Sequence, residues 1–389
     1  MHVLMIGLST HVITDTLGDV QQRHIDYAAR AGHITMIVYA PRDQGLRETR
    51  LSPHLTAIPA NSLSRFTFVG DAYRLAARVH RQQPVDVVTT QDPFATGLAG
   101  LLLKWRFGLP LEVQNHSIFI DNPAFLAERA RNRWFNRLAK FVIRRADTNR
   151  VLNHYEKARY VRLGLNPDRV FVLPTPVNLA RFLEPVAPEA VDGLRARLGL
   201  RPEHRVAFWV GRPVPSKNLP LLFEAAARVH QQMADFRLLM AGDFSRAEHL
   251  RELAQAALGE AVVFAGRVPH EDLPPYYALC DIYVLTSDYE GIPKVLVEAA
   301  AVGRPSVCLD VPRSDDALVD GETGLIARAG DPNDLADKML QLLQNPDLAR
   351  QMGERAREQA LRAFDRDKAI DALVEAWRFA AALRQRRGA

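Results

Sequence analysis

Short apolar runs alternate with longer amphipathic stretches along almost the whole chain, and this rhythm restricts the fold more than any other feature. Residues 2–8, 34–39, 85–90 and 111–114 read as strands, separated by helical patterns such as 20–31 and 71–81. Alternation of this kind builds parallel sheets covered by helices. The rhythm stops at PTPVNLARFLEPVAP (174–188), which holds four prolines, and restarts with strand-like runs at 206–210, 236–241, 262–265, 282–286 and 306–309. With 389 residues, the chain has enough length for two domains that each bury a core. The expected architecture is α/β: two doubly wound Rossmann-like domains, 1–183 and 184–365, facing across a cleft. A helical pattern at 368–383 predicts that residues 366–389 form a C-terminal helix packing back on the first domain. Ligands of such sheets bind at the carboxyl ends of the strands.

Composition narrows the class further. Hydrophobic residues are 48% and charged residues 24%, which is ordinary globular usage. The formal charge of +5 is too mild to indicate a nucleic-acid partner. Cys280 and Cys308 sit in apolar runs outside any ligand spacing and read as buried small hydrophobes. MHVLMIGLST lacks a basic leader and reads as a first strand, and no uncharged run is long enough to span a bilayer. A cytoplasmic protein is expected, with peripheral attachment to the cytoplasmic membrane face left open.

Two segments carry candidate chemistry. In FWVGRPVPSKN (208–218), Gly211, Arg212 and Lys217 fall between a strand and the helical pattern 219–230. Two cations beside the free N–H groups of a helix start suit a pyrophosphate, although a Gly-Arg turn is equally at home on a solvated loop. In DYEGIPKVLVEAA (288–300), Glu290 falls on a strand-to-helix turn and Glu298 about two helical turns later, with Pro293 at a first helical position. Two carboxylates so spaced can accept hydroxyl hydrogen bonds from the two ends of a nucleotide sugar. The plain alternative makes Glu290 a capping acid and Glu298 a helix-face charge. Glu298, however, lies among Val295, Leu296, Val297 and Ala299 and requires a partner.

The combination of Gly211-Arg212, Lys217, Glu290-Gly291 and Glu298 resembles the retaining glycosyltransferases of GT-B fold known as family 4 or group 1. The resemblance covers most of the chain. It takes in the N-terminal strand and turn with Gly18, the run Gln91-Asp92-Pro93, His116 after a strand, and the late turn Gly321 to Gly324. It implies that Arg212 and Lys217 neutralise the donor pyrophosphate, that Glu298 holds the ribose hydroxyls and that Glu290 contacts the transferred sugar. His116 would face that sugar from the other domain. Further donor contacts are implied for Gly18, Asp19, Gly211, Val268, Gly291, Ile292, Pro293, Lys294 and Val295, with base recognition by backbone near residues 266–268. The chain departs from the family pattern at the single Gly18, at LPTPVN (173–178) and at PRSDD (312–316).

The implied reaction moves a sugar from a UDP- or GDP-linked donor to a hydroxyl of a glycan or lipid-linked saccharide, in cell-envelope or exopolysaccharide synthesis. Anomeric configuration is retained and no carboxylate nucleophile is assigned. No cofactor or metal is expected, since the lone Asp365-Arg-Asp367 reads as a helix cap. A phosphorylase, a nucleotide-sugar epimerase and a catalytically silent nucleotide-sugar-binding subunit are the alternatives. Residues 129–145 (RARNRWFNRLAKFVIRR) contain six Arg, one Lys and no acid, with Trp134, Leu138, Phe141 and Val142 at helical spacing. Such a helix fits an anionic membrane surface or, alternatively, buries its apolar stripe in the first domain.

Overall fold

The computed structural model describes residues 1–14, 19–290, 293–311 and 317–385, and the chain divides into two compact units. Met1–Pro176 with Asp365–Ala389 forms the first and Val177–Phe364 the second. The division at 176/177 falls seven residues before the sequence-based boundary at 183/184. The reason is apolar: Val177, Leu179 and Phe182 are buried in the second unit's core beside Tyr277 and Leu296.

The first unit's sheet holds eight strands among the described residues. They are β1 (His2–Gly7), β2 (His33–Val38), β3 (Thr49–Ser52), β4 (Leu55–Pro59), β5 (Val87–Thr90), β6 (Leu111–Gln114), β7 (Thr148–Val151) and β8 (Val170–Val172). Their order is β3-β4-β2-β1-β5-β6-β7-β8, parallel except for the β3–β4 hairpin. Strand β1 shows how the apolar run is used on both faces. Leu4 and Ile6 join a core with the Phe68–Gln82, Ala95–Phe107 and Arg131–Ile143 helices, while Val3 and Met5 join Asp19–Ala31 and Arg366–Gln385. The C-terminal helix therefore belongs to the first unit; it is capped by Asp365, whose Oδ1 accepts from the backbone N–H of Asp367 and Lys368 at 3.1 Å.

The second unit carries β9 (Arg205–Val210), β10 (Phe236–Ala241), β11 (Val262–Gly266), β12 (Ile282–Leu285), β13 (Ser306–Leu309) and β14 (Gly324–Ala327). All are parallel, in the order β11-β10-β9-β12-β13-β14, so the winding direction reverses between β9 and β12. At such a reversal the loops leaving neighbouring strands diverge and open a crevice. Trp209, Met240 and Val284 pack toward the Leu219–Gln232 and Pro332–Leu343 helices, and Phe208, Leu239 and Tyr283 toward Pro274–Leu279 and Lys294–Ala301. Cys280 and Cys308 are buried free thiols, with burial pushing the Cys280 thiol up to about 12.

Candidate functional site

The loops that leave β9 and β12 are tied to each other by hydrogen bonds. The Asp288 N–H donates to the Ser216 carbonyl at 2.9 Å, Thr286 Oγ1 to the Lys217 carbonyl at 2.8 Å, and Asn218 Nδ2 to Asp288 Oδ1 at 2.9 Å. Asn218 adopts φ +45°, which turns a short Pro215–Lys217 helix into the Leu219–Gln232 helix. The arrangement holds Lys217 against Glu290, whose Oε1 accepts from Nζ. Both side chains are half-buried, so the pair is shielded from bulk water.

Beside it, the carboxyl ends of β9, β10 and β11 enclose a cavity of about 640 Å³. Gly211, Arg212, Gly242, Arg246, Arg267 and Val268 line it, with Asp243 as its carboxylate. Two glycines let the backbones meet: a Cβ on Gly242 would stand 2.4 Å from the Gly211 carbonyl oxygen. Three guanidinium groups around one carboxylate give the cavity a positive balance suited to a diphosphate. The sequence-predicted Gly211, Arg212 and Val268 come together here, with Arg267 from the 266–268 stretch expected for base recognition; Gly242 and Arg246 were not anticipated.

Glu298 is 3% exposed on the Lys294–Ala301 helix and has the partners its apolar neighbours require. The Tyr277 hydroxyl donates to Oε2 at 2.9 Å, and His270 Nε2 lies 2.9 Å from Oε1. Phe182 packs against both rings. The carboxylate is thus fixed in one orientation between the helix and the 270–272 turn. Pro293 is the residue that precedes the helix, not its first turn; Lys294 opens the helix and Val295 packs partly into the core. Gly291 and Ile292, like Gly18 and residues 312–316, lie outside the described residues. Asp19 is the first residue of the Asp19–Ala31 helix.

His116 lies in the first unit, two residues beyond β6, and lines a second cavity of about 270 Å³ with His24, Gln91, Gln114 and Arg150. Behind this cavity runs a buried polar network. Arg150 donates to Gln114 Oε1 at 2.9 Å and to the carbonyls of Leu173 and Pro174, and Gln114 donates to Thr89 and Glu112. The run LPTPVN (173–178), one of the departures from the family pattern, therefore supplies carbonyls that fix Arg150.

Glu156 closes the same region: Asn115, next to His116, donates to its Oε2 at 2.8 Å. Burial pushes the Glu156 carboxyl up to about 7 against the pull of Arg159 and the Asn115 hydrogen bond. The folded chain then holds this proton more tightly than the unfolded one, so its contribution to stability is full below about pH 4.5 and is lost as pH rises toward 7. The expected loss is about 3 kcal/mol at one pKa unit per 1.4 kcal/mol. Urea unfolding at about pH 5 and 8 should show this slope in the native chain and a flatter one in Glu156→Gln. Equal slopes in the two would remove Glu156 as its source.

Two family models match the chain: "Glycosyltransferase Family 4" over residues 22–181 and "Glycosyl transferases group 1" over residues 191–359. A D-inositol 3-phosphate glycosyltransferase of Nocardia farcinica is 33% identical over 273 residues, 67% of this chain and 59% of that protein's length. Among solved structures, the sucrose-phosphate synthase of Thermosynechococcus elongatus aligns with a TM-score of 0.82 at 23% identity, covering 98% of this chain and 100% of that one. An Anabaena protein solved with UDP and glucose aligns with a TM-score of 0.76 at 18% identity, covering 96% and 98%. These two likenesses establish the fold: the two parallel α/β units are those of GT-B proteins.

Proposed function

Since this chain belongs to the group 1, family 4 glycosyltransferases, we propose that it transfers a sugar from a nucleoside diphosphate sugar to an acceptor hydroxyl, with retention of anomeric configuration. The observation that carries this reading is the cavity at the ends of β9, β10 and β11, where Arg212, Arg246 and Arg267 surround a glycine cradle. Negative charge grows on the departing diphosphate as the glycosidic bond breaks. Cations already in place there stabilise the transition state more than the ground state. Lys217, outside the lining of that cavity, would add a further charge, and Glu290, ion-paired to it, would accept sugar hydroxyls. Glu298, fixed by Tyr277 and His270, is suited to the ribose diol.

The polar cavity of the first unit, which includes His116, is the candidate acceptor side. Its histidines, glutamines and Arg150 suit a hydroxylated glycan or lipid-linked saccharide. The reaction so assigned uses fixed cations where other enzymes use a metal, and EDTA is expected to leave turnover unchanged. The test is nucleoside diphosphate release from UDP-, GDP- and ADP-sugars in EDTA, with Arg212→Ala and Glu290→Ala beside the native chain. Release from one donor, lost in both variants, is expected. No release from any donor, with no thermal stabilisation by the nucleotides, would overturn the assignment. Stabilisation without release would identify a silent binding subunit.

A further inference from the structure

We propose that the outer face formed by the Ala95–Phe107 and Arg131–Ile143 helices of the first unit docks on an anionic phospholipid surface. The Arg131–Ile143 helix is turned so that asparagines, not its largest rings, point inward. Asn132 and Asn136 are buried, the first donating to the Phe125 carbonyl at 2.7 Å and the second to Asp121 at 2.8 Å. Ala139, Val142 and Ile143 complete the buried side. Of the apolar stripe expected from the sequence to act as one face, only Val142 is fully buried, while Trp134 is 59% and Phe141 38% exposed. Seven residues apart, these two share the outward side of the helix. Trp105 of the neighbouring helix, 56% exposed, meets Phe141 edge-on at 6.3 Å. The chain has four tryptophans; Trp209 and Trp377 are buried, and both exposed ones lie on this face.

The charge that residues 129–145 bring to this face has one sign. Residues 129–145 carry seven cations and no acid, so the rest of the chain is left at −2 while the whole stands at +5. Arg129, Arg131, Arg133, Arg137, Arg144 and Arg145 are exposed. Among the described residues, Lys140 is the cation of this segment that is engaged by a carboxylate, Asp121 at 2.5 Å. The Arg145 guanidinium stacks 3.8 Å over the Phe141 ring, which brings charge and apolar surface to the same spot. Exposed indole rings interleaved with exposed arginines match the two layers of a lipid interface: rings at the acyl boundary and cations among phosphates. None of the described helices is long and apolar enough to cross a membrane.

Flotation of the full chain with vesicles of phosphatidylcholine, alone or with about one third phosphatidylglycerol, tests this. Binding to the anionic vesicles only is expected, with a blue shift in tryptophan emission. The variant Arg131→Gln/Arg133→Gln/Arg137→Gln should lower partitioning roughly 100-fold, the product of about five-fold per arginine. Trp105→Ser/Trp134→Ser should also weaken binding and abolish the emission shift. All five side chains are exposed, and unchanged far-UV circular dichroism would show that both variants fold. Failure of the native chain to float, or flotation unchanged in either variant, would overturn the proposal. Equally tight binding to single-stranded RNA, indifferent to the tryptophans, would replace the membrane with a general polyanion and overturn it as well.

Discussion

Lys217→Ala is expected to lower kcat/KM for glycosyl transfer by about 10²- to 10³-fold, with most of the loss in kcat. The reason lies in how the residue is held. Its ammonium is half-buried at the β9/β12 reversal, bonded to Glu290 and anchored through the Thr286 hydrogen bond to its own carbonyl. A cation fixed in this way costs no reorganisation when charge develops on the leaving phosphate, whereas a mobile surface lysine would have to be ordered first. Removing it also leaves Glu290 without its counter-charge, which is unfavourable in a partly buried site. The two effects are separable. Adding Glu290→Gln to Lys217→Ala should recover thermal stability without recovering turnover. A single variant within about threefold of native kcat would show that Lys217 serves only to hold Glu290.

The elements legible in the sequence are those whose burial follows a simple period. Strands β6, β10 and β13 coincide with the apolar runs that predicted them, and β1 and β9 differ by a residue at one end. Strand β7 was invisible because it reads TNRV: Asn149 and Arg150 are buried through hydrogen bonds to other elements, and a sequence window contains no trace of those partners. The hairpin β3–β4, the short β8 and β14 also escaped, the last following a turn whose glycines dominate the local signal. At the candidate site the same division holds. Gly211, Arg212, Lys217, Glu290 and Glu298 announce themselves because each group lies on one continuous strand-turn-helix segment. Gly242 and Arg246 come from the end of another strand, and an arginine on a loop looks the same whether it faces a cavity or bulk water. The need of Glu298 for a partner was readable from its apolar neighbours. That the partners are Tyr277 and His270 is set by how the chain returns 21 and 28 residues away.

Trp377→Ala is expected to cost the first unit about 3–5 kcal/mol, the larger of the two structural effects foreseen here. On the Arg366–Gln385 helix, Ile370, Leu373, Val374, Trp377 and Ala380 form a fully buried stripe that closes one face of the β1–β2–β5 sheet. Trp377 is the largest of them and meets Tyr27 edge-on at 6.1 Å. Its Nε1 also donates to Glu112 Oε1 at 2.8 Å, an oxygen that Thr89 and Gln114 share at 3.0 and 3.2 Å. Burial pushes the Glu112 carboxyl above its ordinary range, and Arg150, itself made a weaker base by burial, pulls it part of the way back. Each donor to that carboxylate therefore matters. Trp377→Phe keeps most of the ring volume but removes the donor, and should cost about 1–3 kcal/mol. For a unit of this size, Trp377→Ala should lower the thermal midpoint by roughly 10 °C and Trp377→Phe by about half of that. If both lower it equally, the hydrogen bond outweighs the packing. If Trp377→Ala moves it by less than about 2 °C, the C-terminal helix does not close the core, and the buried stripe has been assigned more weight than it carries.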